Sequence, residues 1–569
     1  MTDPNKILNE ANGLYRSGNF DAARKMLAPL LKESQHHKAK HLAAMIARDS
    51  GDYHNALIYL EDSLAVKPND HEVLNTVGTI WVRLQDPIRA ERAFNAALDI
   101  SPSYHVARAN LAFCHLNYQN PADALPLFEA LAQVDVNNQL FMLAQVYALK
   151  DLSKNEQALA LLDKAKTDGP HKEEFAFLRG QILFEMGAFD EAITANNEAI
   201  SSPVFGPKAI VNMAQTLHML GQWPAASVVL ERILENEDNR SEVFVAVARV
   251  FHMADETEKA ENILEKALSK FGEQAELLSF KGRMKADQNK AAEAYKLTFE
   301  GLKRRPGDIG LMTEFSRAAM VAGHVPDAMH AAQSALNQQP NNQFWMAMRA
   351  TGGRLLGTDY KYYFDYEKYV HVYDLDAPEG YKSIEDFNVA LARTLENLHN
   401  FSDAPLNQSV RIGTQTSPNL VHLDNPILKH FFDAVQSPIK QYMAAIGTDN
   451  GHPLTRRNTG EARIRAAWSV KLDQDGHHID HIHPEGWISS AYYVDVPKTM
   501  DDGDGKSGWI RFGQPPFDVN LEAEHFVEPK AGRLVLFPSY MWHGTVPLKQ
   551  SGRRLTLPFD VLPDLPKTS

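Results

Sequence analysis

Gly78-Thr-Ile-Trp-Val-Arg-Leu-Gln-Asp-Pro-Ile-Arg-Ala-Glu-Arg-Ala-Phe-Asn-Ala-Ala-Leu-Asp-Ile-Ser-Pro102 is the stretch whose reading decides the fold of the N-terminal part of the chain. Gly78 and Trp81 fall on one helix, Ala90, Phe94 and Ala97 on a second, and Pro102 ends the unit. The alanine recurs in the same setting at Ala23, Ala56, Ala124, Ala158, Ala192, Ala226, Ala260, Ala294 and Ala328. The first step, from 23 to 56, is 33 residues and each later one is 34. Small residues stand twelve positions earlier at Gly78, Ala112, Gly180, Ala214, Ala248 and Gly282, where they let two helices approach closely. Gly18, Gly51, Gly187, Gly221 and Gly323 occupy the turn between helices, and Pro68, Pro102, Pro306 and Pro340 close units.

This pattern resembles the tetratricopeptide repeat over residues 4–342, in about ten units, with the first helix of the fifth unit reading as shifted. The resemblance implies a superhelix in which each helical hairpin buries its apolar stripe against its neighbours and leaves a long groove that grips a peptide or another protein. The alternative is that the repeats dimerise the chain or dock onto its own C-terminal domain.

A chain of 569 residues is too long for one core, so two or more domains are expected. Its 44% apolar and 23% charged residues are ordinary for a globular protein. A net charge of −14 speaks against a nucleic-acid partner or an anionic membrane surface. Met1–Asn9 has no apolar core of a signal peptide, and no apolar run is long enough to span a bilayer. The single Cys114 has no partner for an internal disulfide and reads as a small core residue. A cytoplasmic address is the resulting expectation.

Residues 343–356 read as one more helix, which sets the expected boundaries: repeats over 1–342, a capping helix and linker over 343–358, and a second domain over 359–569. Tyr360, Tyr362, Tyr363, Phe364, Tyr366, Tyr369 and Tyr373 then crowd together, a stripe read as inter-domain packing. Helices are expected at Ile384–Leu398 and Asn425–Ile446. From Ala462 onward short runs of Val, Ile, Tyr, Trp and Phe between Gly and Pro predict about eight strands in a barrel or sandwich.

Five pieces of this region carry chemistry, in order. They are the strand Ala467–Leu472; the turn His477-His-Ile-Asp-His-Ile-His-Pro484 leading into Trp487–Val494; a further strand, Gly508–Gly513; Gly532–Pro538 followed by His543; and Arg553–Asp560. Non-haem iron(II) needs two or three ligands on one face, with the others left open. Side chains at i and i+2 of a strand point the same way, so one strand can supply two ligands and a neighbour carrying His543 the third. The far carboxylate of an oxo-acid needs a fixed cation, and arginine offers a two-pronged match. Leu555, Leu557, Phe559 and Val561 form one apolar face, so Arg554, Thr556 and Pro558 lie on the other. Arg554 with Thr556 is therefore the candidate carboxylate clamp, and Tyr493 could add a hydroxyl to it.

Residues 360–563 resemble the bacterial and phage 2-oxoglutarate/iron(II) oxygenase family. The resemblance rests on His481, His483 and Pro484; Trp487–Ser489; Tyr492 and Tyr493; Phe537–Ser539; His543; and Arg554, Thr556 and Phe559. It implies a double-stranded β-helix of the jelly-roll or cupin kind with flanking helices. Iron(II), 2-oxoglutarate and dioxygen are the implied cosubstrates, and hydroxylation is the default outcome. The family pattern favours His481, His483 and His543 as ligands. The commoner His-x-Asp pattern favours His478 and Asp480, and both pairs stay open at this point. His525 and His452 read as ordinary surface residues. Two rival classes remain: a repeat scaffold whose barrel holds metal structurally or not at all, and a three-histidine cupin dioxygenase acting on a small molecule without an oxo-acid.

Overall fold

The computed structural model describes residues 3–32, 36–118, 120–165, 169–358, 360–399, 408–497, 505–549 and 551–564. The chain divides into two compact units, Met1–Thr167 and Asp168–Ser569. Among the described residues the first unit holds five helical hairpins, from Pro4–Arg16 to Asn155–Leu162. The second holds five more, from Lys172–Glu185 to Val325–Gln338, then a single helix, Gln343–Leu355, and the β-rich region.

The recurrent alanine explains the hairpins. All ten copies are 0 or 1% exposed, because a methyl group is all the contact between paired helices admits. Gly78 shows the same limit on the facing helix: a Cβ there would lie 2.4 Å from the ring of Phe94. Among the described residues, the first helices of nine hairpins end on a residue in the left-handed region, which closes the last turn. Gly18, Gly51, Gly187, Gly221 and Gly323 hold that place at φ of 70 to 80°, and Asp255 and Asn289 hold it at 62 and 60°. Gly357, at φ 65°, continues the same step of 34 beyond Gly323, so Gln343–Leu355 is phased as the first helix of an eleventh unit.

The fifth unit departs from expectation. Its first helix, Gln139–Asp151, keeps the phase of the others; its second, Asn155–Leu162, is the short one at 8 residues. The position twelve before Ala158 holds buried Val146 rather than a small residue, and that misled the reading. Cys114 lies in the core of the first unit, and burial pushes its thiol up to about 12. Among the described residues no helix is long and apolar enough to cross a membrane.

The strands of the second unit are β1 (His371–Asp374), β2 (Val410–Gln415), β3 (Ala462–Ala467), β4 (Val470–His478), β5 (Ile488–Asp495), β6 (Ile510–Phe512), β7 (His525–Val527), β8 (Arg533–Pro538), β9 (His543–Thr545), β10 (Arg554–Thr556) and β11 (Phe559–Pro563). One antiparallel sheet runs β1-β8-β5-β10-β4-β2, with β11 joining β5 to β3, and a second runs β7-β6-β9. The architecture is thus an all-α repeat array followed by a double-stranded β-helix with flanking helices.

Two local expectations fail for physical reasons. The segment Ala467–Leu472 is not one strand: the chain breaks at Trp468-Ser469 to pass from a partner in β11 to partners in β2 and β10. The helix expected over Asn425–Ile446 is two, Pro426–Ala434 and Gln436–Ile446. Pro438 lacks the N–H that would bond the carbonyl of Ala434, and its ring crowds that carbonyl.

Within this unit the last repeat helices and the barrel share a core that runs from Met312 to Leu562. The indole of Trp542 donates to Thr351 Oγ1 at 2.9 Å, and Arg354 donates to the carbonyls of Gly513 and Glu522. Part of the tyrosine stripe packs here too: Tyr360 and Tyr366 donate to Glu524, while Tyr369 is buried.

Candidate metal centre

Three residues beyond the end of β4, His481 forms an antiparallel bridge with His543 at the start of β9. The two exchange backbone hydrogen bonds of 2.9 and 3.0 Å, which put their side chains on the same side of the ladder. His483, two residues on, is held by its N–H to the Ser539 carbonyl at 3.0 Å. One ring nitrogen from each of His481, His483 and His543 lies within 4.8 Å of the others. His481 Nε2 and His483 Nε2 are 3.4 Å apart, close to the separation of about 3 Å expected for two imidazoles bound to one metal at about 2.1 Å each.

The opposite ring nitrogens are all engaged. His481 Nδ1 donates to the Ile479 carbonyl at 2.8 Å and His543 Nδ1 to the Met541 carbonyl at 3.0 Å. His483 Nδ1 donates to Asp560 Oδ1 at 2.6 Å, and Ser489 Oγ donates to the same oxygen at 2.7 Å. An acceptor on Nδ1 fixes the proton there and leaves Nε2 free to ligate, the arrangement found around metal-bound histidines. Burial lowers the His481 imidazole to about 3, and it holds His543 and His478 well below the ordinary value. These rings are therefore neutral near pH 7, as ligands must be.

The alternative pair is not brought together. Asp480 is gripped by Arg511, Nη2 to Oδ2 at 2.6 Å and Nε to Oδ1 at 3.0 Å. His478 Nδ1 faces Ser409 Oγ at 2.9 Å, and its ring stacks beside His481 with centroids 5.6 Å apart. Asp480→Ala is expected to leave metal affinity within about threefold while lowering the melting temperature, because it strands a half-buried guanidinium. Equilibrium dialysis and a thermal melt check this; a loss of metal matching that of a histidine variant would restore Asp480 as a ligand.

Arg554, 3% exposed, lies across the same cavity. Its guanidinium sits 4.8 Å from the Tyr493 ring centroid; its Nε is buried without a hydrogen-bond partner, and among the described residues it forms no ion pair. The Tyr493 hydroxyl is likewise buried without a partner. Tyr493 supports the guanidinium through its ring and is not part of the cavity wall. Arg553 points elsewhere, to Asp495 and Glu396. The alternation of β10 and β11 accounts for the difference, since Arg554, Thr556, Pro558 and Asp560 all line the cavity. That cavity is about 520 Å³ in volume, within the usual range for small-molecule sites. Trp468 forms part of its wall, and the ion-paired Arg465 and Glu485 also line it.

Ser409 lies outside the motifs read in the sequence, and Ser489 and Asp560 stand within them without an assigned role. Asp560 had a signal: it continues the inward-facing set of Arg554, Thr556 and Pro558. Ser409 Oγ, 3.3 Å from His481 Nε2, comes from β2's leading end, far away in sequence. His452 and His525 are not surface residues. His452 is 4% exposed and packed among Tyr362, Tyr363 and Tyr369, while half-buried His525 stacks on Tyr366. Aromatic neighbours, invisible at that distance in sequence, cover both.

Two measurements follow from this geometry. Asp560→Asn should weaken metal binding about 10- to 100-fold while leaving the three imidazoles in place, as dialysis against a buffered metal series would show. The metal-free protein should also lose stability as pH falls below about 6.5. His399, lowered to about 4 by burial, and His481, lowered to about 3, take up protons in the unfolded chain that the folded one refuses. Melting temperatures at pH 7.5, 6 and 5 test the sign; a rise toward pH 5 would contradict it.

Comparison with known proteins bears on both parts. Residues 466–560 match the family described as "Putative 2OG-Fe(II) oxygenase", and residues 8–71, 41–105 and 143–208 match that described as "Tetratricopeptide repeat". TPR repeat-containing protein MJ1428 of Methanocaldococcus jannaschii is 22% identical over 241 residues, covering 39% of this chain and 42% of the relative. Tetratricopeptide repeat protein 21A of Mus musculus is 25% identical over 167 residues, 29% of this chain and 13% of the relative. The chain thus spans less than half the length of the curated relatives it matches. A solved structure titled "Functional Characterization of Pseudomonas Aeruginosa pilF" is 18% identical, with a TM-score of 0.31, covering 34% of this chain and 89% of that one. The chain carries tetratricopeptide repeats followed by a C-terminal domain of the family described as "Putative 2OG-Fe(II) oxygenase".

Proposed function

We propose that the chain is an iron(II)- and 2-oxoglutarate-dependent dioxygenase that hydroxylates a protein or peptide held by its repeats. One observation supports this reading: three imidazoles with converging ring nitrogens share a cavity with a buried guanidinium that forms no ion pair among the described residues. A purely structural metal site has no use for that unpaired cation, and a three-histidine cupin acting without an oxo-acid has none either. When bound, iron(II) with 2-oxoglutarate and dioxygen supplies oxidative decarboxylation coupled to hydroxylation of a C–H bond.

The protein's own contribution is placement. His481, His483 and His543 hold the metal on one face, and their Nδ1 acceptors keep the rings from turning. Arg554, set on the Tyr493 ring, fixes the far carboxylate of the oxo-acid, with Thr556 beside it on the wall. Trp468, Ile510 and Pro558 exclude water from the reacting face. The test is an anaerobic titration of iron-loaded protein with 2-oxoglutarate, followed by its visible charge-transfer band. A band that saturates with stoichiometric oxo-acid supports the reading; no band with iron bound would leave the scaffold or cupin reading in its place.

A further inference from the structure

The residue before β2 and the last residue of β4 meet beside the three histidines. Val410 pairs with His478 in the β2–β4 ladder, and the Ser409 carbonyl accepts the Ile479 N–H at 2.9 Å. The backbone thus fixes where both side chains start. Ser409 Oγ faces two ring nitrogens at once, His478 Nδ1 at 2.9 Å and His481 Nε2 at 3.3 Å. The second of these is the nitrogen on the metal side of the ring, since His481 Nδ1 is held by the Ile479 carbonyl. Ser409 and His478 both line the cavity, and among the described residues His478 Nε2 has no hydrogen-bond partner. Burial above all, then the charges of His481 and Arg554, hold the His478 imidazole well below its ordinary value. The ring is therefore neutral, and it lies close to the carboxylate clamp as well as to the ligand set.

A hydroxyl carries one hydrogen, and a neutral imidazole carries one on its nitrogens. Two arrangements follow. With its proton on Nδ1, His478 donates to Ser409 Oγ and the hydroxyl donates to His481 Nε2, an acceptor that is lost once metal binds there. With the proton on Nε2, the hydroxyl donates to His478 Nδ1 and the imidazole N–H stands in the cavity wall without an acceptor. Either way the loaded centre keeps one unanswered donor beside His481, and a buried donor without an acceptor is costly. The molecule that completes the site must bring an oxygen to it. The hydroxyl stands against the ligating nitrogen itself, so the first arrangement is the one that metal binding turns toward the incoming ligand. We infer that Ser409, oriented by His478, donates a hydrogen bond to the metal-proximal carboxylate of the oxo-acid, at the opposite end from Arg554. An anionic oxygen is the acceptor that makes such a bond strongest. Ser409 touches the cosubstrate; His478 acts through it and is a positioning residue.

The inference rests on the dioxygenase reading, and the test separates the two. Iron-loaded full-length protein is titrated anaerobically with 2-oxoglutarate and with pyruvate, an oxo-acid that has the metal-proximal end but no far carboxylate. Each variant is first checked by thermal melt and by metal content. Ser409→Ala is expected to bind both oxo-acids at least about tenfold more weakly, with a displaced visible band and unchanged iron content. Ser409→Thr keeps the hydroxyl and should bring both affinities back to within about threefold of the wild type. Arg554→Ala should lose affinity for 2-oxoglutarate alone, which assigns the two residues to opposite ends of the molecule. His478→Phe should match Ser409→Ala, and the double variant should be no weaker than either single one, because the two residues act as a unit. A pair that only braced β2 against β4 would lower the melting temperature and leave the band and both affinities unchanged. That result, or a Ser409→Ala loss confined to 2-oxoglutarate, overturns the inference while the wild-type band keeps the dioxygenase reading. A wild type that gives no band with iron bound removes both.

Discussion

Arg554→Ala is expected to bind 2-oxoglutarate at least about 100-fold more weakly than the wild type, with its iron affinity changed less than about threefold. The reasoning is electrostatic. A guanidinium and a carboxylate make two charge-assisted hydrogen bonds, each worth about 1.5–3 kcal/mol in a buried site. Arg554 has nothing else to bond with its Nε and no ion pair among the described residues, so its loss is felt mainly when the oxo-acid arrives. Arg554→Lys sharpens the test, because it keeps the charge and discards the fork; an intermediate loss of about tenfold is expected. Calorimetry with the iron-loaded variants measures both. Unchanged oxo-acid affinity in Arg554→Ala would mean that the carboxylate is held elsewhere.

His543→Ala is expected to abolish iron binding, with affinity down at least about 1000-fold, since one of three nitrogens disappears. The neighbouring carboxylates are already committed, Asp480 to Arg511 and Asp560 to His483 Nδ1 and Ser489. The fold should survive, because the bridge to His481 is made by backbone groups that alanine keeps. Metal content by elemental analysis and a melt within a few degrees of the metal-free wild type would together establish this. Retained stoichiometric iron would require a different ligand set.

Much of this was legible in the chain. The 34-residue step carried the hairpins because every copy meets the same neighbour, so one local rule is restated ten times. The alternation after Arg553 puts Arg554 on the face that lines the cavity, since a strand has only two faces. What escaped depended on partners remote in sequence. The choice between Asp480 and His483 turns on Arg511, 31 residues beyond the aspartate on a strand whose pairing no local pattern announces. The role of Asp560 depends on His483, 77 residues away. The break before Pro438 could have been read directly, since the ring forbids the helix that the apolar spacing suggests.

The bond from Trp542 to Thr351 ties the residue beside His543 to the helix that continues the repeat phase. A fragment beginning after Leu355 would leave that indole N–H buried and unanswered next to a ligand strand. Moving this barrel onto a foreign repeat array would therefore require carrying the terminal repeat helix along with it. Substitutions in the repeat units upstream of that helix leave this bond untouched.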